Sequence, residues 1–282
     1  MSTFVLTLSC RDTPGIVRAV SEVIWSCGGN IEESQQFGDR RTGRFFMRVA
    51  FTPGQQAALE GWRSAFSQVA GQFGMEWQVH DGAEPTRALV MVSLGGHCLN
   101  DLLFRARNGS LPIVVPAVVS NHEVLRPLAE FYGVPFLHIP VDARDKKAAE
   151  ARLREVVVEF DVELVVLARY MQVLSDDLCK HLDGRAINIH HSFLPSFKGA
   201  RPYHQAHARG VKLIGATAHY VTADLDEGPI IEQDVARVEH ALTAEDLAAT
   251  GRDIEASVLA RAVRWHAEHR VMLNGKRTVV FR

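Results

Sequence analysis

Apolar positions in the N-terminal part of the chain switch between the two periods that mark strands and helices. Phe4 to Leu8 is a short strand-like run, and Ile16, Val17, Val20, Val23 and Ile24 then recur at helical spacing, which predicts a helix over 14–27. Pro14 suits the start of that helix, where a missing N–H costs little, and Gly28-Gly29 ends it. Ile31 to Phe37 and Arg44 to Phe51 read as two further strands, Gln55 to Phe73 as a second helix and Met75 to His80 as a last strand. The order βαββαβ is the ferredoxin-like plan. Asp81 to Thr86 is small, polar and contains Pro85, a linker composition, so the domain boundary is expected there, with one domain over 1–84 and another over 85–282.

Beyond the linker the pattern changes. Leu89 to Leu94, Ile113 to Val119, Leu164 to Ala168 and Ala186 to Ile189 are continuous apolar runs, as expected of strands covered on both faces of a parallel sheet. Amphipathic segments separate them; the clearest carries Ala149, Leu153, Val156, Val157 and Phe160 on one stripe. The alternation predicts an α/β domain, Rossmann-like and mostly parallel, with helices on both faces. Leu213 to Val221 and Pro229 to Val238 read as a later pair of strands and Thr243 to His269 as a long helix. Val271 to Phe281 reads as a hairpin turning at Asn274-Gly275.

Composition narrows the function classes. Of 282 residues, 47% are hydrophobic and 23% charged, an ordinary globular balance. With 31 basic and 33 acidic residues and no basic tract, neither a nucleic acid nor an anionic membrane is an expected partner. Cys10, Cys27, Cys98 and Cys179 form no C-x-x-C pair and read as reduced thiols. The first residues lack the basic and apolar regions of a signal peptide, and no apolar run reaches the roughly 18–20 residues of a membrane helix. A cytoplasmic location is the expectation.

The chemistry concentrates in residues 186–233. Asn188 and His190, two apart on a strand, face the same way at its carboxyl end, where open α/β sheets bind ligands. Asp226 follows in the acidic run Asp224-Leu225-Asp226-Glu227, just before a Gly228-Pro229 turn that can hold it against the imidazole. Taken singly, His190 could as well cap a strand end, and Asp226 could merely shape the turn. No H-E-x-x-H motif or Cys/His cluster is present, so no metal is expected.

Three separated blocks carry a resemblance: Asn188-Ile189-His190, then Leu194-Pro195-Ser196-Phe197-Lys198-Gly199, then Asp226-x-Gly228-Pro229-Ile230-Ile231. In that order they resemble the folate-dependent formyltransferase superfamily. Asn188-Ile189-His190-His191-Ser192, His97 to Leu103, Val119 to His122 and Ala168 to Leu174 resemble its formyltetrahydrofolate deformylase family. Ser93-Leu94-Gly95-Gly96-His97-Cys98 departs from the phosphate loop of the ribonucleotide transferases, and Asp12-x-Pro14-Gly15-Ile16-Val17 resembles an ACT module.

The resemblance implies hydrolysis of 10-formyltetrahydrofolate to formate and tetrahydrofolate, with no tightly bound cofactor. Asn188 and His190 would donate to the tetrahedral oxyanion, Asp226 would serve the attacking water, and His191 and His219 would support them. It further implies a folate site at Arg169, Tyr170, Met171, Val173, Leu174, Thr222, Ala223 and Asp224. For the ACT-like domain it implies an amino-acid effector, methionine or glycine, near Asp12, Gly15 and Asn30, and a homo-oligomer, dimer or tetramer. Two other readings use the same residues: transfer of the formyl group to an amine such as glycinamide ribonucleotide, and a non-enzymatic amino-acid or folate sensor.

Overall fold

The computed structural model describes residues 3–54, 59–142, 146–193 and 202–282. Two compact units result, one of Met1–Pro85 with Glu268–Asn274 and Val279–Arg282, the other of Thr86–Ala267 with Gly275–Thr278. The chain therefore returns to its first unit at its end, a pairing that no local pattern in 268–282 announces.

In the first unit the order is β1 (Phe4–Arg11), α1 (Ile16–Ser26), β2 (Asn30–Asp39), β3 (Arg44–Thr52), α2 (Leu59–Phe73) and β4 (Glu76–Asp81). The sheet runs β2-β3-β1-β4, antiparallel throughout, the ferredoxin-like arrangement expected. Gly15, in the left-handed region at φ 97°, sets the entry to α1. The core is aromatic: Trp62 stacks on Phe66 at 4.8 Å and Phe66 meets Trp77 edge-on at 4.9 Å. On the other face of β3, Arg48 is buried in a pair with Glu33 at 2.7 Å and donates to the Glu268 carbonyl.

The second unit contains β5 (Thr86–Val92), α3 (His97–Arg107), β6 (Ile113–Val114), β7 (Val118–Ser120), α4 (Arg126–Phe131), β8 (Phe136–His138), α5 (Lys146–Glu159) and β9 (Leu164–Leu167). It continues with α6 (Asp176–His181), β10 (Ala186–His190), α7 (Pro202–Ala208), β11 (Leu213–Tyr220), β12 (Ile230–Arg237) and α8 (Ala244–Ala267); β13 (Val271–Asn274) and β14 (Arg277–Val280) form the closing hairpin. The sheet order is β12-β11-β10-β9-β5-β7-β8, with β6 beside β5. Strands β10 to β8 are parallel, while β11 and β12 run antiparallel.

Two details differ from the sequence reading. The run Ile113–Val119 is two strands: β6 pairs Thr86 and Arg87, and β7 pairs further along β5 at Val90–Val92. Pro116 lies between them and has no N–H to give a ladder. Strand β8 adds an edge too short to show a period. From β5 the chain proceeds outward to β7 and β8, then crosses back to β9 on the other side of β5. The crevice at this reversal lies at the carboxyl ends of β5, β9 and β10.

Candidate active site

Strand β10 presents the first two groups. Ile187 and Ile189 are buried, and the alternation turns Asn188 and His190 to the opposite face. Asn188 stands opposite His219 of β11, and Asn188 Nδ2 lies 3.2 Å from His219 Nε2. His219 is buried, and its Nδ1 lies 2.9 Å from the Tyr220 carbonyl oxygen. A carbonyl only accepts, so Nδ1 carries the proton there and Nε2 faces the site.

The carboxylate comes from the turn after β11. Asp226 adopts a left-handed backbone at φ 58°, uncommon for a residue with a side chain. The turn is held by Thr222 Oγ1 donating to the Asp224 carbonyl at 3.0 Å and by Tyr220 N–H donating to the Pro229 carbonyl at 2.9 Å. Gly228 is required: a Cβ there would lie 1.7 Å from the Tyr220 oxygen. So placed, Asp226 Oδ1 lies 3.2 Å from His190 Nδ1 and 3.7 Å from His219 Nε2. Hydrogen bonds from His190, then from His219, hold its carboxyl far below the usual carboxylate range. His190 Nε2 is buried and has no hydrogen-bond partner among the described residues.

These groups border a cleft of about 910 Å³. Arg169, Tyr170, Met171, Val173, Leu174, Thr222 and Ala223 line it as the sequence reading expected. Asp224 does not; the lining residue of that turn beside Asp226 is Leu225, which is 65% exposed. Its flanking acids concealed Leu225 in the sequence, and Gln172 was likewise not singled out. Met171 and Val173 expose apolar surface, whereas Tyr170 and Leu174 are core residues, and burial pushes the Tyr170 hydroxyl up to about 12. The loop is pinned at both ends. Met171 N–H donates to Ser93 Oγ at 3.0 Å, and Ser175, which caps α6, gives its own N–H to Glu150 at 2.8 Å.

A second polar group adjoins the first. The His191 ring stacks on His190 at 4.7 Å, and Arg169 Nη1 lies 2.8 Å from His191 Nδ1. Arg169 also faces Glu255, as do His97 at 2.8 Å and the Tyr203 hydroxyl at 2.6 Å. Burial alone raises the Glu255 carboxyl, but the His97 bond, the Arg169 cation and the Tyr203 bond outweigh it, and its pKa falls below the ordinary value. His97, Cys98 and Glu255 bring ligand-type atoms within 4.8 Å of one another, the one such trio among the described residues. Its carboxylate is already held by three donors. Burial pushes the Cys98 thiol well up, away from the thiolate that binds metals.

The remaining sequence candidates are placed as follows. Leu194 to Gly199, including Lys198, lies outside the described residues. In the first unit, Asp12 and Gly15 follow the Arg11–Arg44 end of the sheet, while Asn30 pairs with Thr52 at its other end. Within one chain these three do not share a site.

Residues 86–263 match the formyl transferase family, which sets the class of the fold and its strand-end cleft. Over 280 residues the chain is 54% identical to the formyltetrahydrofolate deformylase of Corynebacterium sp. (strain P-1), covering 99% of this chain and 98% of the relative. It is 47% identical to that of Bacillus subtilis (strain 168), covering 98% and 93%. The crystal structure of the Burkholderia mallei formyltetrahydrofolate deformylase superposes with a TM-score of 0.96 at 51% identity, covering 100% of both chains. The Symbiobacterium toebii glycinamide ribonucleotide transformylase 1 structure reaches 0.66 at 34% identity, covering 71% of this chain and 95% of its own. The chain belongs to the formyltetrahydrofolate deformylase family.

Proposed function

We infer that the protein hydrolyses 10-formyltetrahydrofolate to formate and tetrahydrofolate at the Asn188–His190–Asp226 cluster. The observation that carries this is the meeting of one amide, two imidazoles and one anionic carboxylate at the rim of a largely apolar cleft, in a chain related to deformylases along its whole length. Asp226 accepts the Nδ1 proton of His190, so Nε2 is the nitrogen left for the reacting atoms. As water adds to the formyl carbon, Nε2 takes its proton. The carbonyl oxygen becomes the oxyanion, which the second N–H of Asn188 receives while its first is directed at His219. The imidazolium, held beside the Asp226 carboxylate, then gives the proton to the departing folate nitrogen as the carbon–nitrogen bond breaks, and formic acid ionises to formate.

Arg169 to Leu174 and Thr222 to Leu225 would receive the pterin, with Met171, Val173 and Leu225 supplying apolar contact and loop backbone supplying hydrogen bonds. The reading includes no tightly bound cofactor and a cytoplasmic enzyme that supplies formate for purine synthesis and balances the one-carbon pool; no described helix is long and apolar enough to cross a membrane. It also includes a homo-oligomer whose ACT-like domain, over 1–84, takes methionine or glycine. Since Asp12 and Asn30 lie at opposite sheet ends, a second copy would have to complete any effector site that uses both.

Incubation with 10-formyltetrahydrofolate and no amine acceptor should yield stoichiometric formate and tetrahydrofolate. Turnover that begins only when glycinamide ribonucleotide is added would replace this reading with the transferase one, and tight folate binding without turnover would favour a sensor.

A further inference from the structure

We propose that Glu255 is a positioning residue for deformylation, anchoring the Arg169 guanidinium that fixes His191 as its Nε2–H tautomer beside His190. The inference rests on the functional reading above for its kinetic meaning, but its geometry stands apart from it.

Glu255 is 1% exposed on α8. A buried carboxylate is costly unless its oxygens are bonded, and here both are. Oε1 accepts from the Tyr203 hydroxyl at 2.6 Å; Oε2 lies 2.8 Å from His97 Nε2 and 3.4 Å from Arg169 Nε. The helix is shaped for this contact. Gly251 lies four residues before Glu255, on the same face, and a Cβ there would fall 2.2 Å from the Tyr203 ring and hydroxyl. The missing side chain lets the phenol lie against α8 and reach the carboxylate.

Arg169 is the link. It leaves β9 in the left-handed region at φ 68° and spans two groups with one planar cation, Nε toward Glu255 and Nη1 toward His191 Nδ1 at 2.8 Å. A guanidinium donates and never accepts, so His191 Nδ1 must present its lone pair and the ring proton resides on Nε2. The charge state follows from the surroundings. Burial, then the Arg169 cation, then His190 bring the His191 pKa down to about 4, against smaller opposing effects of the Glu255 and Asp226 carboxylates. His191 thus offers the cleft a neutral N–H donor, stacked at 4.7 Å and 21° on His190, without placing another positive charge beside the imidazole that must accept a proton. Without the Glu255 charge the guanidinium has one anchor fewer, and the tautomer is no longer fixed.

The test begins with the unaltered full chain, labelled with 15N, and the imidazole resonances of His191 assigned by their absence in His191→Asn. At pH 7 they should show protonated Nε2 and unprotonated Nδ1. In Glu255→Gln, which keeps the shape of the side chain and removes its charge, both tautomers should appear. For formate release, Glu255→Gln should lower kcat roughly 10-fold with KM within about threefold, and adding it to His191→Asn should cause no further loss. An Nδ1–H tautomer in the unaltered protein overturns the proposal, even if Glu255→Gln fails to fold. An unchanged tautomer in a folded Glu255→Gln also overturns it, as do kinetic losses that multiply. The expected tautomer in a chain that releases no formate would instead sink the deformylase reading and leave the Glu255 geometry in place.

Discussion

Asn188 and His219 stand directly opposite each other across the antiparallel β10–β11 pair, and the amide nitrogen of one lies 3.2 Å from the imidazole of the other. Cross-strand neighbours of this kind are fixed by register, so the amide is oriented before any substrate arrives. Asn188→Ala should therefore lower kcat for formate release by about 10²–10³ with little change in thermal stability, the loss typical of one oxyanion donor. Single-turnover measurement with intact folding checks it; a rate within threefold of the parent would remove Asn188 from the reaction.

Asp226→Asn keeps the size of the side chain and removes its charge. The group that accepts the His190 Nδ1 proton is lost, and kcat should fall by about 10²–10⁴. KM for the folate should hardly move, because the change lies at the reacting centre. A raised KM with normal kcat would make Asp226 a binding residue.

His191 should make stability depend on pH. Its pKa is lowered from 6.5 to about 4, so between those values the unfolded chain binds the proton that the folded chain refuses. The stability it contributes is complete above about pH 6.5 and is lost as pH falls toward 4, by roughly 3 kcal/mol over the window. Denaturant unfolding of His191→Asn should show a flatter slope across that range. Equal slopes in the two proteins would mean that His191 is not held neutral by the fold.

Gly228→Ala brings a methyl group to 1.7 Å from the Tyr220 carbonyl oxygen, so the turn carrying Asp226 must shift. A loss of about 3 kcal/mol or more in unfolding free energy is expected, together with most of the activity. An unchanged denaturation midpoint would refute the tight turn.

Leu225→Asp replaces apolar cleft lining with charge. KM for 10-formyltetrahydrofolate should rise roughly 10-fold while kcat stays within threefold, the scale of one half-buried leucine lost from a ligand contact. Unaltered KM would show that the pterin does not reach this turn.

Much of the fold could be read locally. The helical spacing of Ile16, Val20, Val23 and Ile24 produced α1, and the i, i+2 relation of Asn188 and His190 survived into β10 because Ile187 and Ile189 needed burial on the other face. Short elements such as β8 and α4 left too few residues for a period to show. The Glu255 network was silent for a different reason. Its members come from α3, the loop after β9, α7 and α8, and nothing in the spacing of His97, Arg169, Tyr203 and Glu255 announces that they meet. One signal was present: Gly251, a glycine inside a long helix, asks what approaches closely there.

That same glycine sets a trap for anyone raising the protein's heat tolerance. Alanine is the better helix former by about 1 kcal/mol, so rules that fill helices with strong formers would nominate position 251. The added methyl would drive the Tyr203 ring aside and loosen its hold on Glu255. A sequence improved by helix propensity alone would give up the arrangement that α8 was left bare to accommodate.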